Sequence, residues 1–175
     1  MMIKIECGEL KSCAKDLKAG DEILLSGTIF TARDQAHAKI INLLEKGENL
    51  PFEIENSVIY YAGPTPTPPG EIIGSCGPTT SKRMDKFAPN LYNLGMVASI
   101  GKGDRSAEVY EAIRKNGGLY LAAIGGAGAL YAKCVKSVET IAFEDLGTES
   151  VKQIVVENMP LIVAINSFGK SIYKN

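Results

Sequence analysis

The stretch EILLSGTIFTARDQAHAKIINLLEKG, residues 22–47, predicts a strand that leads directly into a helix. Residues 22–29 are rich in branched apolar side chains, which is typical of a buried strand. From Ala36 to Leu44 the apolar residues recur at helical spacing, and Thr31 is a candidate N-cap with Asp34 three positions later. A strand that feeds a helix is the repeating unit of an α/β fold.

The same alternation continues through most of the chain. Further strands are predicted at residues 57–62, 96–100 and 119–124, and further helices at residues 106–115 and 129–135. The tail then predicts strands only, at residues 138–143, 151–156 and 161–165 and around Ile172, which indicates antiparallel pairing. Between these elements GPTPTPPG (residues 63–70) predicts an extended loop, because its prolines exclude both a helix and a central strand. The expected architecture is α/β with a mixed sheet, in one domain over residues 1–175.

Composition excludes several classes of function. The 175 residues carry 19 Lys and Arg against 20 Asp and Glu, so no overall field favours nucleic acid or an anionic membrane as a partner. The longest apolar and glycine run, Tyr120–Ala132, is too short to span a bilayer, and the N-terminus is no secretory signal, so a cytoplasmic location is expected. The four cysteines are expected to be thiols there, and with one histidine no complete metal site is expected in this chain. They are Cys7, Cys13, Cys76 and Cys134.

Arg33 is unusual because it is a cation at the start of a predicted helix, where the macrodipole is positive. The free backbone N–H groups and the guanidinium could together bind a carboxylate. His37 follows four residues later on the same face. The residues equally allow an ion pair of Arg33 with Asp34 or with another surface acid, and His37 as a partly buried structural histidine.

GSCGPTTSKRM (residues 74–84) is a second candidate site. Its glycines permit close backbone approach, and a helix beginning near Thr79 would place Arg83 on the same face as that hydroxyl. A bare threonine is a poor base, because its hydroxyl must lose its proton or pass it along a relay. An over-capped helix with a surface arginine is the alternative interpretation.

Lys102 in IGKGD lies where a strand ends, a common place for a ligand-facing residue in α/β folds. A solvated lysine is the simpler interpretation. GGAGAL (residues 125–130) lacks the third glycine of a dinucleotide fingerprint, which makes a Rossmann-type oxidoreductase the weakest hypothesis.

TARDQAH, IYYAGP, CGPTTSKRMD, IGKGDRS and the tail DLGTESVKQIVVENMP together resemble the C-terminal region of class I, iron-sulfur fumarate hydratases and the β subunit of the related L-tartrate dehydratases. The resemblance runs from about Cys7 to Lys174. It implies a swivelling β/β/α fold, and in two-subunit members this region is a separate β chain.

The resemblance also implies roles for particular residues. Arg33, Arg83 and Lys102 match carboxylate-binding residues, and Thr79 matches the proposed catalytic base. His37 matches a motif histidine, which we interpret as support for the helix that follows Arg33. Cys76 stands where a small residue is expected, beside the site, and leaves sensitivity to oxidation open.

The implied reaction is the reversible hydration of fumarate to (S)-malate, a hydro-lyase step of the tricarboxylic acid cycle. A four-iron four-sulfur cluster, held by a partner α subunit and not by this chain, would act as the Lewis acid. The expected assembly is a heterotetramer of two α and two β subunits. Two alternatives remain: the β subunit of L-tartrate dehydratase, which converts tartrate to oxaloacetate, and a stand-alone dicarboxylate-binding module.

Overall fold

In the computed structural model, which describes residues 1–174, seven strands and five α-helices alternate along the chain. The strands are β1 (Ile3–Glu6), β2 (Glu22–Thr31), β3 (Val58–Tyr60), β4 (Ala98–Gly101), β5 (Leu119–Ala122), β6 (Val135–Ala142) and β7 (Val151–Ile165). The helices are α1 (Leu10–Cys13), α2 (Asp34–Glu45), α3 (Ala88–Asn93), α4 (Ala107–Asn116) and α5 (Gly128–Cys134). The predicted α/β class is confirmed.

The strands form one mixed sheet in the order β1-β2-β3-β4-β5-β7-β6. Strands β1 to β5 run parallel to their neighbours, whereas β7 runs antiparallel to β5, β6 and β2. Because β7 pairs with both β2 and β5, the hydrogen-bonded strands β2, β3, β4, β5 and β7 form a closed circuit. The predicted mixed sheet with an antiparallel tail is confirmed.

The tail differs from the prediction in detail. The two strands predicted at residues 151–156 and 161–165 are one continuous strand, β7, which carries a bulge between Val156 and Met159 and adopts a positive φ of 51° at Asn158 within it. The strand predicted around Ile172 is reduced to an isolated bridge between Ile165 and Ser171. The opening strand β1 was not predicted, because its alternation is weak.

Helix α2 begins later than predicted. Its N-cap is Arg33, without a side-chain capping bond, whereas Thr31 belongs to β2 and its hydroxyl accepts a hydrogen bond from the Lys152 N–H at 3.2 Å. The Thr31 and Asp34 capping pair is therefore wrong. Helix α4 ends as predicted, at Gly117 in the left-handed region with φ 66°.

The core lies on both faces of the sheet because successive side chains of a strand point to opposite faces. Val58 and Tyr60 of β3 pack in one cluster with the apolar side of β2, and Ile59 and Tyr61 pack in the other cluster with α2, α3 and α4. No helix within residues 1–174 is long and apolar enough to cross a membrane.

A buried ion pair joins two loops at the carboxyl edge of the parallel strands. The Arg105 Nε donates to Asp85 Oδ1 at 2.7 Å, and the guanidinium also donates to the Ser99 hydroxyl at 2.9 Å and the Tyr61 hydroxyl at 3.1 Å. The second carboxylate oxygen of Asp85 accepts the Ser106 N–H at 2.6 Å. The Arg105 side chain is completely buried, so its charge depends on these partners.

We predict that Asp85→Asn lowers the free energy of unfolding by about 3–5 kcal/mol, because it leaves the Arg105 charge buried without a counter-ion. Urea unfolding followed by circular dichroism measures the change. The matched control is Lys39→Met, which breaks the exposed Lys39–Asp145 pair of 2.8 Å and should cost less than about 1 kcal/mol. Equal losses in the two variants would contradict the assignment.

Candidate active site

The carboxyl ends of the parallel strands β2 to β5 lie at one edge of the sheet, and the loops that leave this edge carry the candidate residues. Arg33 follows β2, Lys102 follows β4 at Gly101, and Gly125 lies in the loop after β5. Ligands of open α/β sheets bind at this edge, because the loops there approach one another. Residues far apart in the sequence can therefore form one site.

Backbone hydrogen bonds register these loops around the end of β3. The Ala32 N–H donates to the Tyr60 carbonyl at 3.0 Å, and the Thr79 N–H donates to the Tyr61 carbonyl at 2.7 Å. Thr80 forms an isolated parallel bridge with Lys102. The loops that carry Arg33, Thr79 and Lys102 are thus fixed to the same strand end or to each other.

Arg33 is partly enclosed, with its side chain 26% exposed. A Cβ added to Gly63 would lie 3.0 Å from Arg33 Cδ and 3.2 Å from its Nη1, so the guanidinium depends on glycine at that position. The Arg33 Nε lies 4.0 Å from Glu149 Oε1, and both atoms are buried without a hydrogen-bond partner among the described residues. This distance is too long for a hydrogen bond, so the Arg33 Nε–H remains a donor without an acceptor.

Arg83 contacts the first residue of α2, the residue that follows Arg33 in the chain. Its Nε donates to Asp34 Oδ2 at 3.0 Å, and its Nη2 lies 2.9 Å from the same oxygen. The Arg83 side chain is 52% exposed, and such solvated pairs contribute little stability. Of the acids considered for Arg33, Asp34 instead pairs with Arg83 through Oδ2, and the acid that approaches Arg33 is Glu149, at 4.0 Å.

Thr79 does not begin a helix. The short 3-10 turn covers Ser81–Met84 and has Thr80 as its N-cap, so the predicted shared helix face of Thr79 and Arg83 is wrong. The Thr79 N–H bond to the Tyr61 carbonyl fixes residue 79 ahead of the turn, and its neighbour Thr80 is extended. The Thr79 side chain is half-buried. It reaches the site from the loop and not from a helix N-terminus.

Lys102 is exposed immediately after β4. A Cβ on Gly125 would lie 3.4 Å from Lys102 Cδ and 3.7 Å from Nζ, so the side chain extends along the glycine loop after β5. On its other side, a Cβ on Gly101 would clash with the Ser81 hydroxyl, which donates to or accepts from the Tyr120 hydroxyl at 2.8 Å. The small residues at this edge let the two loops approach closely.

His37 fixes the backbone of Arg33 from the next turn of α2. Its Nδ1–H donates to the Arg33 carbonyl at 2.8 Å, and its ring stacks on Phe87 at 5.6 Å and meets Tyr61 edge-on at 5.4 Å. Burial lowers the pKa of His37 to about 4, opposed by the bond to the Arg33 carbonyl and reinforced by the Arg105 charge. The imidazole is therefore neutral, and it fixes backbone and not ligand.

The cysteines are not arranged for metal binding. Within residues 1–174 no group of three or more His, Cys, Asp or Glu side chains could hold a metal ion. Cys76 is buried, and burial raises the pKa of its thiol to about 12, a change opposed by the nearby Lys152. Its thiolate population is negligible at neutral pH, so the structure gives no support for sensitivity to oxidation at Cys76.

Sequence reasoning missed the acidic partners and the buried arginine of this edge. Asp34 and Glu149 face Arg83 and Arg33, and Asp85 holds Arg105. Asp85 and Arg105 lie within the motifs CGPTTSKRMD and IGKGDRS, but nothing in a sequence marks one arginine as buried and another as exposed. Glu149 lies 116 positions after Arg33, a separation that no local pattern spans.

The edge brings two arginines, a lysine and a threonine hydroxyl together at the loops of an α/β domain, an arrangement suited to a small molecule with more than one carboxylate. The family model described as "Fumarase C-terminus" matches residues 1–175. The chain belongs to this family.

Two kinds of relative are similar to the chain. "Fumarate hydratase 2" of Leishmania major is 43% identical over 156 residues, covering 88% of this chain and 28% of the relative. "Fumarate hydratase class I, aerobic" of Escherichia coli (strain K12) is 41% identical over 152 residues, covering 86% and 28%. The third relative, from Methanocaldococcus jannaschii, bears the name "Putative L(+)-tartrate dehydratase subunit beta". It is 43% identical over 170 residues, covering 94% of this chain and 87% of its own length.

The chain thus spans about a quarter of the length of the two fumarate hydratases and most of the length of the subunit. The resemblance inferred from the motifs is confirmed. The two kinds of relative differ in whether additional sequence is joined to this region.

We predict that lowering the pH destabilises the protein through His37. The pKa of His37 is about 4 in the folded state and about 6.5 when unfolded, so the unfolded chain binds the extra proton between these values. The contribution of His37 to the free energy of unfolding is fully present above pH 6.5. It falls by about 3 kcal/mol as the pH drops towards 4.

Urea unfolding at several pH values measures this contribution as the difference between the wild type and His37→Gln, which lacks the titration. The difference should change with pH only in this window. A proton NMR titration showing a pKa near 6.5 for His37 in the folded protein would contradict the prediction.

Proposed function

We propose that this chain is the β subunit of an iron-sulfur-dependent hydro-lyase that interconverts fumarate and (S)-malate. The observation that carries the proposal is the convergence of Arg33, Arg83, Lys102 and Thr79 at one edge of the sheet. A cluster-bearing α subunit would complete the enzyme, in a cytoplasmic heterotetramer of two α and two β subunits. The proposal places the cluster on that subunit, and it is supported by the finding that no three His, Cys, Asp or Glu side chains among residues 1–174 are grouped to hold a metal ion.

The three cations suit the two carboxylates of a C4 dicarboxylate. Arg83 is held only by a solvated pair with Asp34, which contributes ~0–1 kcal/mol. A charge-assisted hydrogen bond from a guanidinium to a substrate carboxylate contributes ~1.5–3 kcal/mol, so a substrate can compete for Arg83. Arg33 retains an unpaired Nε–H, and Lys102 can adjust because its side chain is exposed.

Thr79 is the proposed group that moves the C3 proton. Hydration places a hydroxyl on C2 and a proton on C3, and the reverse reaction removes both. A threonine hydroxyl is too weak a base alone, so Thr79 must pass the proton along a relay or be activated by nearby cations. Arg83 and Lys102 flank the residue along the chain and across the Thr80–Lys102 bridge, and their charges favour a deprotonated hydroxyl.

The edge is open in this chain, which supports the requirement for a partner. Arg83 is half-exposed and Lys102 exposed, so water has free access to both side chains. Electrostatic contacts strengthen when water is excluded, and a hydro-lyase must control which water reacts. A second subunit over this edge would supply that exclusion.

The β subunit of L-tartrate dehydratase is the second candidate. The observation that favours it is the similarity to the relative with that name, which is 43% identical over 94% of this chain. Tartrate carries a further hydroxyl but the same pair of carboxylates. The reconstituted pair, assayed without oxygen on fumarate, malate and tartrate, separates the candidates, and turnover of none of them would contradict the hydro-lyase proposal. A chain that binds dicarboxylates but never associates with another subunit would instead be a stand-alone module.

We predict that Arg83→Ala lowers kcat/KM of the reconstituted enzyme by about 10–150-fold, the equivalent of one charge-assisted hydrogen bond. Steady-state kinetics measure the change. Arg114→Ala is the matched control, because Arg114 is also an exposed arginine but pairs with Glu111 in α4. Unchanged kinetics in Arg83→Ala would remove Arg83 from the site.

We predict that Thr79→Ala abolishes turnover but leaves dicarboxylate binding measurable, because it removes the proton-transfer group and no cation. Isothermal titration with succinate and activity assays measure the two properties separately. Thr80→Ala tests the assignment, since Thr80 is the adjacent hydroxyl and is exposed. Loss of turnover in Thr80→Ala but not in Thr79→Ala would transfer the role to Thr80.

A further inference from the structure

Three large apolar side chains are exposed beside the candidate site. Ile72 is 48% exposed in the loop after β3, Ile124 is 57% exposed in the loop after β5, and Leu130 is 47% exposed in α5. Each lies on a segment that leaves the carboxyl edge of the parallel strands. We call these three residues the apolar patch.

Contacts between the two loops bring the patch together. The Cys76 N–H donates to the Gly128 carbonyl at 3.1 Å, and the Ile124 N–H donates to the Tyr131 hydroxyl at 2.8 Å. Between Ile72 and the exposed side of α5 lies a groove of about 420 Å³. Its apolar lining includes Ile72, Ile73, Ala129, Ala132 and Val135.

The patch is continuous with the proposed substrate site. Ile124 precedes Gly125, and Lys102 Nζ lies 3.7 Å from the position of a Cβ on Gly125. Several exposed apolar side chains beside an apolar groove at one edge indicate an interaction site more strongly than one isolated apolar residue does. A protein seated on the patch would therefore also reach over Lys102.

We propose that the apolar patch is the docking surface for the subunit that completes the active site, an inference that rests on the proposed function. The occupant is the part of the fumarate hydratases outside the matched region, since this chain covers only 28% of their length. It presents an apolar surface to Ile72, Ile124 and Leu130. Its rim is acidic, because the groove is lined by Lys133 and Lys136 against one acid, Glu71, and Lys133 pairs with no carboxylate among residues 1–174.

The opposite edge of the sheet provides a matched control. Phe168 is 58% exposed and follows the end of β7, whose Ile165 pairs with Tyr120 near the start of β5. An aspartate at position 168 thus introduces the same charge on an equally exposed apolar residue, away from the patch. Leu130→Asp and Ile124→Asp place it within the patch, and neither residue belongs to the proposed catalytic groups.

The experiment measures binding of the full chain to the cluster-bearing subunit of the same organism by biolayer interferometry. Circular dichroism and thermal unfolding establish that each variant is folded. Leu130→Asp and Ile124→Asp should each raise the dissociation constant by at least about 10-fold, and Phe168→Asp should leave it unchanged.

Equal binding by the patch variants and the wild type would overturn the docking surface, as would weakening by Phe168→Asp alone. Loss of self-association in the patch variants, with binding to the subunit unchanged, would assign the patch to a second copy of this chain and also overturn it. Turnover by a pair whose assembly ignores the patch would leave the proposed function standing. A pair that assembles through the patch but acts on none of the three acids would support the surface and contradict the function.

Discussion

The buried ion pair between Arg105 and Asp85 is the interaction on which the candidate site depends. It joins the segment that carries Arg83 to the loop that carries Lys102, because Asp85 follows the Ser81–Met84 turn and Arg105 follows the glycine-flanked lysine. A completely buried guanidinium is unfavourable unless its donors are used. The two loops must therefore adopt the one arrangement that satisfies it, which places the exposed cations at a defined separation.

Burial divides the arginines of this edge into two kinds. The Arg105 guanidinium lies against the rings of Tyr120 and Tyr61, 4.6 Å and 5.2 Å from their centroids. All of its observed contacts are structural. Arg33 and Arg83 have loose or solvated acidic partners, so their charges remain available to a ligand. The buried Arg105 holds the loops in place, and the exposed arginines remain accessible to a ligand.

The sequence predicts the elements whose signals are local. The strand β2 and helices α2 and α4 follow from apolar periodicity, and the end of α4 follows from Gly117. The start of α2 could not be predicted from Thr31, because pairing with β7 extends β2 through that residue. A tertiary hydrogen-bond ladder outweighed a favourable local cap.

The site follows the same division. Arg33, Arg83, Lys102 and Thr79 could be selected from motifs. The pairing of Arg83 with Asp34, of Arg33 with Glu149 and of Arg105 with Asp85 depends on the loops being brought together. The predicted helix at Thr79 failed for a related reason. The Thr79 N–H donates to the Tyr61 carbonyl, so residue 79 continues the strand edge and the turn begins two residues later.

Strand β7 closes the circuit of strands by pairing with β2 and β5, so this closure uses only strands of this chain. The proposed partner would thus exclude water from the open edge and cover the apolar patch.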